Sequence, residues 1–199
     1  MSFTVDTPIH LNDLLTRYST LNRIILQPAR YWLPQVRYVP KKGKATAQAA
    51  PESPYPEIKF DYAGHANEGI FMKDINPGLD DALRTRLEGC DDLVFENRGL
   101  QRITLKIIWP RYEYLDFSRT IELETSSGPI TRWKLGAVIS ANYSRFLISA
   151  QGSPPSDSGT PYAIGRPGIR TQHLVLYSLI NVWHNTWQAV VAIQHPLHD

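Results

Sequence analysis

The stretch HLVLYSLINVWHNTWQAVVAI (173–193) limits most sharply what this chain can fold into. Two runs rich in β-branched and aromatic side chains flank a tight turn near His184-Asn185, which is the pattern of a hairpin. Upstream, EIKFDYAGHANEGIFMKD alternates Ile58, Phe60 and Tyr62, breaks at a Gly/Asn loop, and resumes with Ile70-Phe71-Met72, predicting another hairpin. LVF, a turn at ENRG and LQRITLKIIW predict a further one. Its buried face by the period-two rule is Ile103, Leu105, Ile107 and Trp109. RTIELET adds a strand with Ile121 and Leu123 inward. Asn76-Pro77 caps a short helix running through Leu79, Leu83 and Leu87 to a stop at Gly89.

One long helix interrupts the strands, within GPITRWKLGAVISANYSRFL (128–147). Gly128 could cap it with Pro129 first. The better start has Thr131 as cap, Arg132 opening the helix, and Ile130 stapled onto Leu135. Either start puts Arg132 and Lys134 at the positive end of the helix dipole with no carboxylate in the first turn, each costing roughly 0.3–1 kcal/mol if exposed. A carboxylate on the preceding strand, Glu122 or Glu124, would offset Arg132; an anionic ligand would do the same. At 3.6 residues per turn, Leu135, Val138, Ile139, Asn142 and Phe146 make the core stripe. Opposite run Trp133, Ala137, Ser140 and Ser144, a bulky ring above small side chains, suited to close packing by this chain or a second copy. Strands joined by short turns around one helix predict an α+β fold, a mainly antiparallel sheet with that helix across a face.

The N-terminal quarter differs in kind. Thr7-Pro8 caps an amphipathic helix through Leu11, Leu14, Leu15, Tyr18, Leu21 and Ile25, closed by Pro28. YWLPQVRYV is extended but broken by Pro34, so it is an edge strand at most. KKGKATAQAAPESPYP (41–56) has too little apolar surface to offset its ordering entropy. The expected organisation is therefore a helical arm over 1–40, a flexible linker over 41–56 and an α+β domain over 57–199.

Charge follows the same division. The net +2 comes from seven Lys/Arg against three Asp/Glu up to Pro56, and fourteen against sixteen beyond it. A basic arm is a solvated linker or a contact to an acidic partner. Nucleic acid is disfavoured because the sheet-forming part is net acidic. A single cysteine, no secretory leader pattern and no run of ~18 apolar residues lead us to expect a protein of cytoplasm or nucleus, not secreted and not in a membrane.

Catalytic motifs are missing: no G-x-S-x-G, no P-loop, no G-x-G-x-x-G after a strand. Cys90 lies beside two aspartates, a poor setting for a thiolate. His65 has Asp61 and Glu68 nearby, which is weak support for acid–base work. His195 and His198 near Asp199 have metal-ligand spacing but follow Pro196 at a chain end, and we expect neither metal nor cofactor. The aromatics say more. Trp109, Tyr112, Tyr114, Phe117, Trp183 and Trp187 fall near expected strand ends, as core or as a pocket lining. The loop SAQGSPPSDSGTPYAIGRPGIRT between helix and last hairpin is either a lid or disordered.

WPRY with the later SRTI, GPITRWKL and TWQ resemble a family of uncharacterised proteins abundant in mushroom-forming fungi. That family has a W-P-G-Y segment, a serine-arginine before a strand, a P-I-T-R-x-K-L helix start and a late W-Q. Arg111 stands here in place of the glycine. The resemblance spans about residues 105–190 and carries no activity. It implies that Trp109-Pro110, Arg119, Thr131-Arg132 and Trp187-Gln188 belong to one architecture.

Two functions follow as expectations. The first is a non-enzymatic interaction module, self-associating as a homodimer through the Trp133 face. The second is a small-molecule-binding protein or enzyme, its pocket lined by Trp109, Tyr112, Trp183 and Trp187, with Arg132 as anion anchor and 150–171 as lid.

Overall fold

The computed structural model describes residues 30–40, 55–75, 81–96, 98–166 and 168–194. The helix expected over 7–27, most of the linker, the Asn76-Pro77 cap and the His195/His198/Asp199 trio lie outside them.

The last hairpin is the spine of the molecule. β8 (Leu174–Trp183) and β9 (Thr186–Gln194) pair antiparallel around His184-Asn185, and almost every residue of both is buried. His184 enters the turn at φ 43°, a conformation a non-glycine residue adopts only with support. Asn181 supplies it, its side-chain amide donating to the carbonyls of His184 (2.5 Å) and Thr186 (3.2 Å).

Each strand of this hairpin has two short partners in succession along its outer edge. β8 takes β2 (Ile58–Lys59) and then β3 (Ile70–Phe71). β9 takes β1 (Arg30–Trp32) at one end and β4 (Arg102–Ile107) at the other, and β4 continues to β5 (Phe117–Glu122). This makes one seven-stranded sheet, antiparallel except for β4 against β9. A small ribbon, β6 (Glu124–Thr125) with β7 (Gly128–Pro129), leads into α1 (Arg132–Ala150). The α+β class and the mainly antiparallel sheet are as the sequence predicts.

Two hairpins pair differently from expectation. Ile58–Phe60 and Ile70–Phe71 do not pair with each other; they are two pieces of one line along β8, with residues 61–69 looping out between them. The Asp61 carboxylate closes that loop by accepting the Gly69 N–H at 2.9 Å. Leu93–Phe95 forms a turn, and β4 finds β5 instead. The alternation on β4 holds all the same: Ile103, Leu105, Ile107 and Trp109 are buried, as are Ile121 and Leu123.

The sheet has two apolar faces. Leu174, Leu176 and Leu179 of β8 join Trp187, Ala189, Val191 and Ile193 of β9 in the main core with α1. Val175, Tyr177, Ile180, Val182, Val190 and Ala192 form a second cluster, against which Trp32, Tyr38 and Phe71 pack. Parity along β8 changes at Tyr177, where a register shift between Leu176 and Ser178 marks a bulge.

The buried face of α1 is turned from the stripe read off the sequence. Leu135, Ile139, Asn142 and Phe146 are buried as expected, but so are Gly136, Ser140, Tyr143, Leu147 and Ala150, while Val138 is half-exposed. The face is thus rotated by roughly 70° toward the supposed outer side. The cause is the segment after β3. Ser140 Oγ donates to the Met72 carbonyl at 2.6 Å, and a side chain on Gly136 would meet Phe60 and Ile75 at 3.2–3.3 Å. Gly136 and Ser140 are therefore seats for Phe60, Met72 and Ile75 of the same chain.

Candidate functional site

The start of α1 resolves its charge anomaly within the fold. Thr131 caps, its hydroxyl accepting the Lys134 N–H at 3.3 Å, and Ile130 and Leu135 share the core. The next free helix donors, the N–H groups of Arg132 and Trp133, reach the carbonyls of Asp92 (2.9 Å) and Cys90 (3.0 Å). Arg132 then spreads over the same turn: Nε donates to the Gly89 carbonyl (3.2 Å), Nη1 to the Lys59 carbonyl (2.6 Å) and Nη2 to the Asp92 carboxylate (2.8 Å). The offsetting carboxylate is Asp92, not Glu122 or Glu124. Lys134 caps the β6–β7 ribbon through Thr125 and Ser127, both at 2.9 Å. A polar cleft of about 310 Å³ beside Arg132 is lined by Glu57, Asp92, Glu96 and Arg98 as well, so carboxylates outnumber arginines there.

The aromatic candidates fall in four places. Trp109 and Tyr112 are buried next to the end of α1, Trp109 lying 5.9 Å from Phe146. Residues 162–164 cover them: Trp109 Nε1 donates to the Tyr162 carbonyl at 2.8 Å, and the Tyr112 hydroxyl accepts the Ile164 N–H at 3.2 Å. Trp187 is buried elsewhere in the core between Tyr55, stacked at 5.6 Å, and Phe95, edge-on at 5.2 Å. Trp183 sits half-buried at the hairpin tip against His184. Trp133 is half-buried at the rim of the main core.

Arg111 occupies the turn after Trp109-Pro110 at φ 69°, the left-handed region that suits glycine. The turn closes by the Tyr112 N–H donating to the Trp109 carbonyl at 2.9 Å. A non-glycine residue therefore holds this turn at some backbone strain. Of the titratable clusters, His65 lies 3.5 Å from Glu68 beside a shallow cleft that Tyr62 and Arg86 also line. The Tyr62 hydroxyl donates to Asp74 and is held protonated, mainly by burial and then by that bond. Among the described residues no group of three His, Cys, Asp or Glu could hold a metal.

A further trough lies where the sequence placed the arm. Residues 30–40 run along β9 and then peel away over the second sheet face. Gln188, itself buried, fixes the departing backbone: its Nε2 donates to the Val36 carbonyl (3.1 Å) and its Oε1 accepts the Tyr38 N–H (2.8 Å). Arg37 adds a bond to the Val182 carbonyl at 3.3 Å. Between this segment and the end of β4 with the turn 113–116 is a trough of about 690 Å³. Lys106 forms part of its lining, paired with Asp116, bonded to Ser118 Oγ (3.0 Å) and 5.4 Å from the Tyr38 ring centroid.

Val36 (64% exposed), Val39 (64%) and Tyr114 (55%) line this trough, and they are three of the five exposed large hydrophobic side chains among the described residues. Sequence reading singled out Tyr114 among the aromatics but missed Val36 and Val39, because they lie in a proline-broken run. The one local signal was two valines three apart between Pro34 and Pro40.

Fold and trough together define an α+β domain with an open trough between residues 36–40 and the end of β4. No helix among the described residues is long and apolar enough to cross a membrane. The chain matches no protein-family model, no curated protein and no solved structure.

Proposed function

We propose that this protein is a non-enzymatic protein-interaction module that receives an extended segment of a partner polypeptide in the trough between Val36–Val39 and Tyr114. One observation carries the reading: three of the five exposed large apolar side chains among the described residues gather on a single trough, one wall of which is hydrogen-bonded to Gln188. Apolar surface gathered in this way marks a binding site. A trough between an extended strap and a strand end suits an extended occupant. Selection of displayed random peptides on the full chain tests it. Enriched peptides should bind, and Val39→Glu should weaken them about tenfold, as loss of an apolar anchor does. Selection that enriches nothing, or peptides indifferent to Val39→Glu, would remove the proposal.

Self-association through Trp133 is the second reading, carried by an indole left half-exposed at the helix start. Its small-residue neighbours Ala137 and Ser140 are occupied within the chain, which leaves it less surface. Light scattering of wild type and Trp133→Glu decides it; a monomer in both ends it. The pocket reading has less behind it, because Arg132 already holds two carbonyls and Asp92.

A further inference from the structure

We infer that the second apolar face of the sheet is the docking surface of the chain's own N-terminal segment, the apolar stripe of residues 11–25 lying along β8 and β9. This is independent of the trough reading.

Both faces of the last hairpin are apolar, yet α1 serves one of them. Leu135, Ile139, Tyr143, Phe146 and Leu147 of α1 lie in the main core, and no described helical residue belongs to the second cluster. On that second face Val175, Val182 and Ala192 are at most 1% exposed, and Tyr177 and Val190 are 3% exposed. The described side chains packed against this cluster are Trp32, Tyr38 and Phe71, each itself half-buried. Trp32 and Phe71 belong to β1 and β3, which pair with β9 and β8, so they stand beside the face rather than above it. An apolar sheet face is buried by a further layer, and no described helix supplies one here.

The chain enters the fold on this face. Arg30, the first described residue, donates from Nη1 to the Tyr177 hydroxyl (3.1 Å) and to the Glu68 carbonyl (2.6 Å). Its guanidinium also lies 5.5 Å from the Phe71 ring centroid. Tyr177 and Phe71 both belong to the second cluster. Arg30 pairs with Gln194, so residues 1–29 join the sheet at the open end of the hairpin, away from the turn at His184-Asn185. Pro28 stands two residues before that anchor, where it ends a helix and turns the chain.

The segment has the pattern and the length that the face needs. At helical spacing Leu11, Leu14, Leu15, Tyr18, Leu21 and Ile25 fall within a stripe about 120° wide, with Asp13, Thr16, Thr20 and Arg23 opposite. Pro8 to Gln27 as a helix is about 30 Å long. The ten residues of β8 extend about 33 Å, so one such helix runs the length of the face. Up to Ala29 two aspartates balance two arginines, and a neutral amphipathic helix suits a cluster that holds no charged residue.

The test places a nitroxide on the polar side of the stripe, in the full chain carrying Cys90→Ser and Thr20→Cys, and reads methyl NMR intensities. The expected result is loss of intensity at Val175, Val182, Val190 and Ala192, with Leu135 and Ile139 of α1 unaffected. Leu14→Asp should restore the lost intensity and raise the fluorescence of an added apolar dye, whereas Thr16→Asp should change neither. Full intensity at the four second-face residues in the labelled chain overturns the inference, as does equal behaviour of Leu14→Asp and Thr16→Asp. Mixing nitroxide-labelled chains with unlabelled, isotope-enriched ones should leave the enriched methyls at full intensity. Loss in that mixture assigns the face to a second copy and overturns docking within the chain.

Discussion

Replacing Arg132 with methionine keeps a long apolar stem and removes the guanidinium, so it isolates what that group contributes. Arg132 holds the helix start to two places distant in sequence, Lys59 and the turn 89–92, and its side chain is 19% exposed. Each of the two carbonyl bonds, made by a charged donor in a partly buried setting, is worth about 1 kcal/mol. The pair with Asp92 adds roughly 0.5 kcal/mol, because that carboxylate is 59% exposed and its attraction is screened. Removing a cation from the positive end of the helix returns about 0.5 kcal/mol. The net loss is about 2 kcal/mol, or a fall of ~4–8 °C in melting temperature for a domain of this size. Urea unfolding followed by tryptophan fluorescence should show a lower midpoint with an unchanged slope. Arg132→Lys should recover less than half, since an ammonium cannot reproduce the planar fork. A methionine variant as stable as wild type would refute the reasoning and return Arg132 to the role of a ligand anchor. Phosphate that stabilises wild type and not the variant would point the same way.

Arg111→Gly should stabilise the protein by ~0.5–1 kcal/mol, because φ 69° costs an L-residue energy that glycine does not pay. The Arg111–Asp157 pair lost with it spans 3.8 Å between half-exposed groups and weighs little; chemical denaturation measures the balance, and a destabilised variant would count against it. Stability should also fall in alkali. Burial raises the pKa of Tyr143, and burial with the Asp74 bond raises that of Tyr62. Above pH ~10 the unfolded chain releases protons that the folded chain keeps, so stability present below that pH is lost as pH rises, by about 1.4 kcal/mol per unit for each such tyrosine. Tyr143→Phe should flatten the slope of unfolding free energy against pH by one such share; an unchanged slope would show that Tyr143 is not responsible.

Much of the framework was legible because it depends on neighbours in sequence. Alternation on 103–109 and at Ile121 and Leu123, the cap at Thr131 and the turn at His184-Asn185 are local patterns, and the structure keeps each of them. Pairing of short strands was not legible. Ile58–Lys59 and Ile70–Phe71 each have two residues, too few to specify a partner, and both took the long exposed edge of β8. The trough was hidden for a related reason: its wall depends on a side-chain amide 152 positions away, at Gln188.

By itself, then, the sequence determined the longer strands of the sheet and where its long helix starts. It did so through side-chain period, caps and turn residues acting over a few positions. Tertiary structure alone decided which face of α1 is buried, since residues 60–75 came to lie on its small side chains. It alone decided that Arg132 meets Asp92 and that residues 30–40 become a strap across the sheet. Each of these joins groups dozens to more than a hundred residues apart. Such contacts form only when burial of the whole core repays the closing of long loops, and no local pattern records that balance.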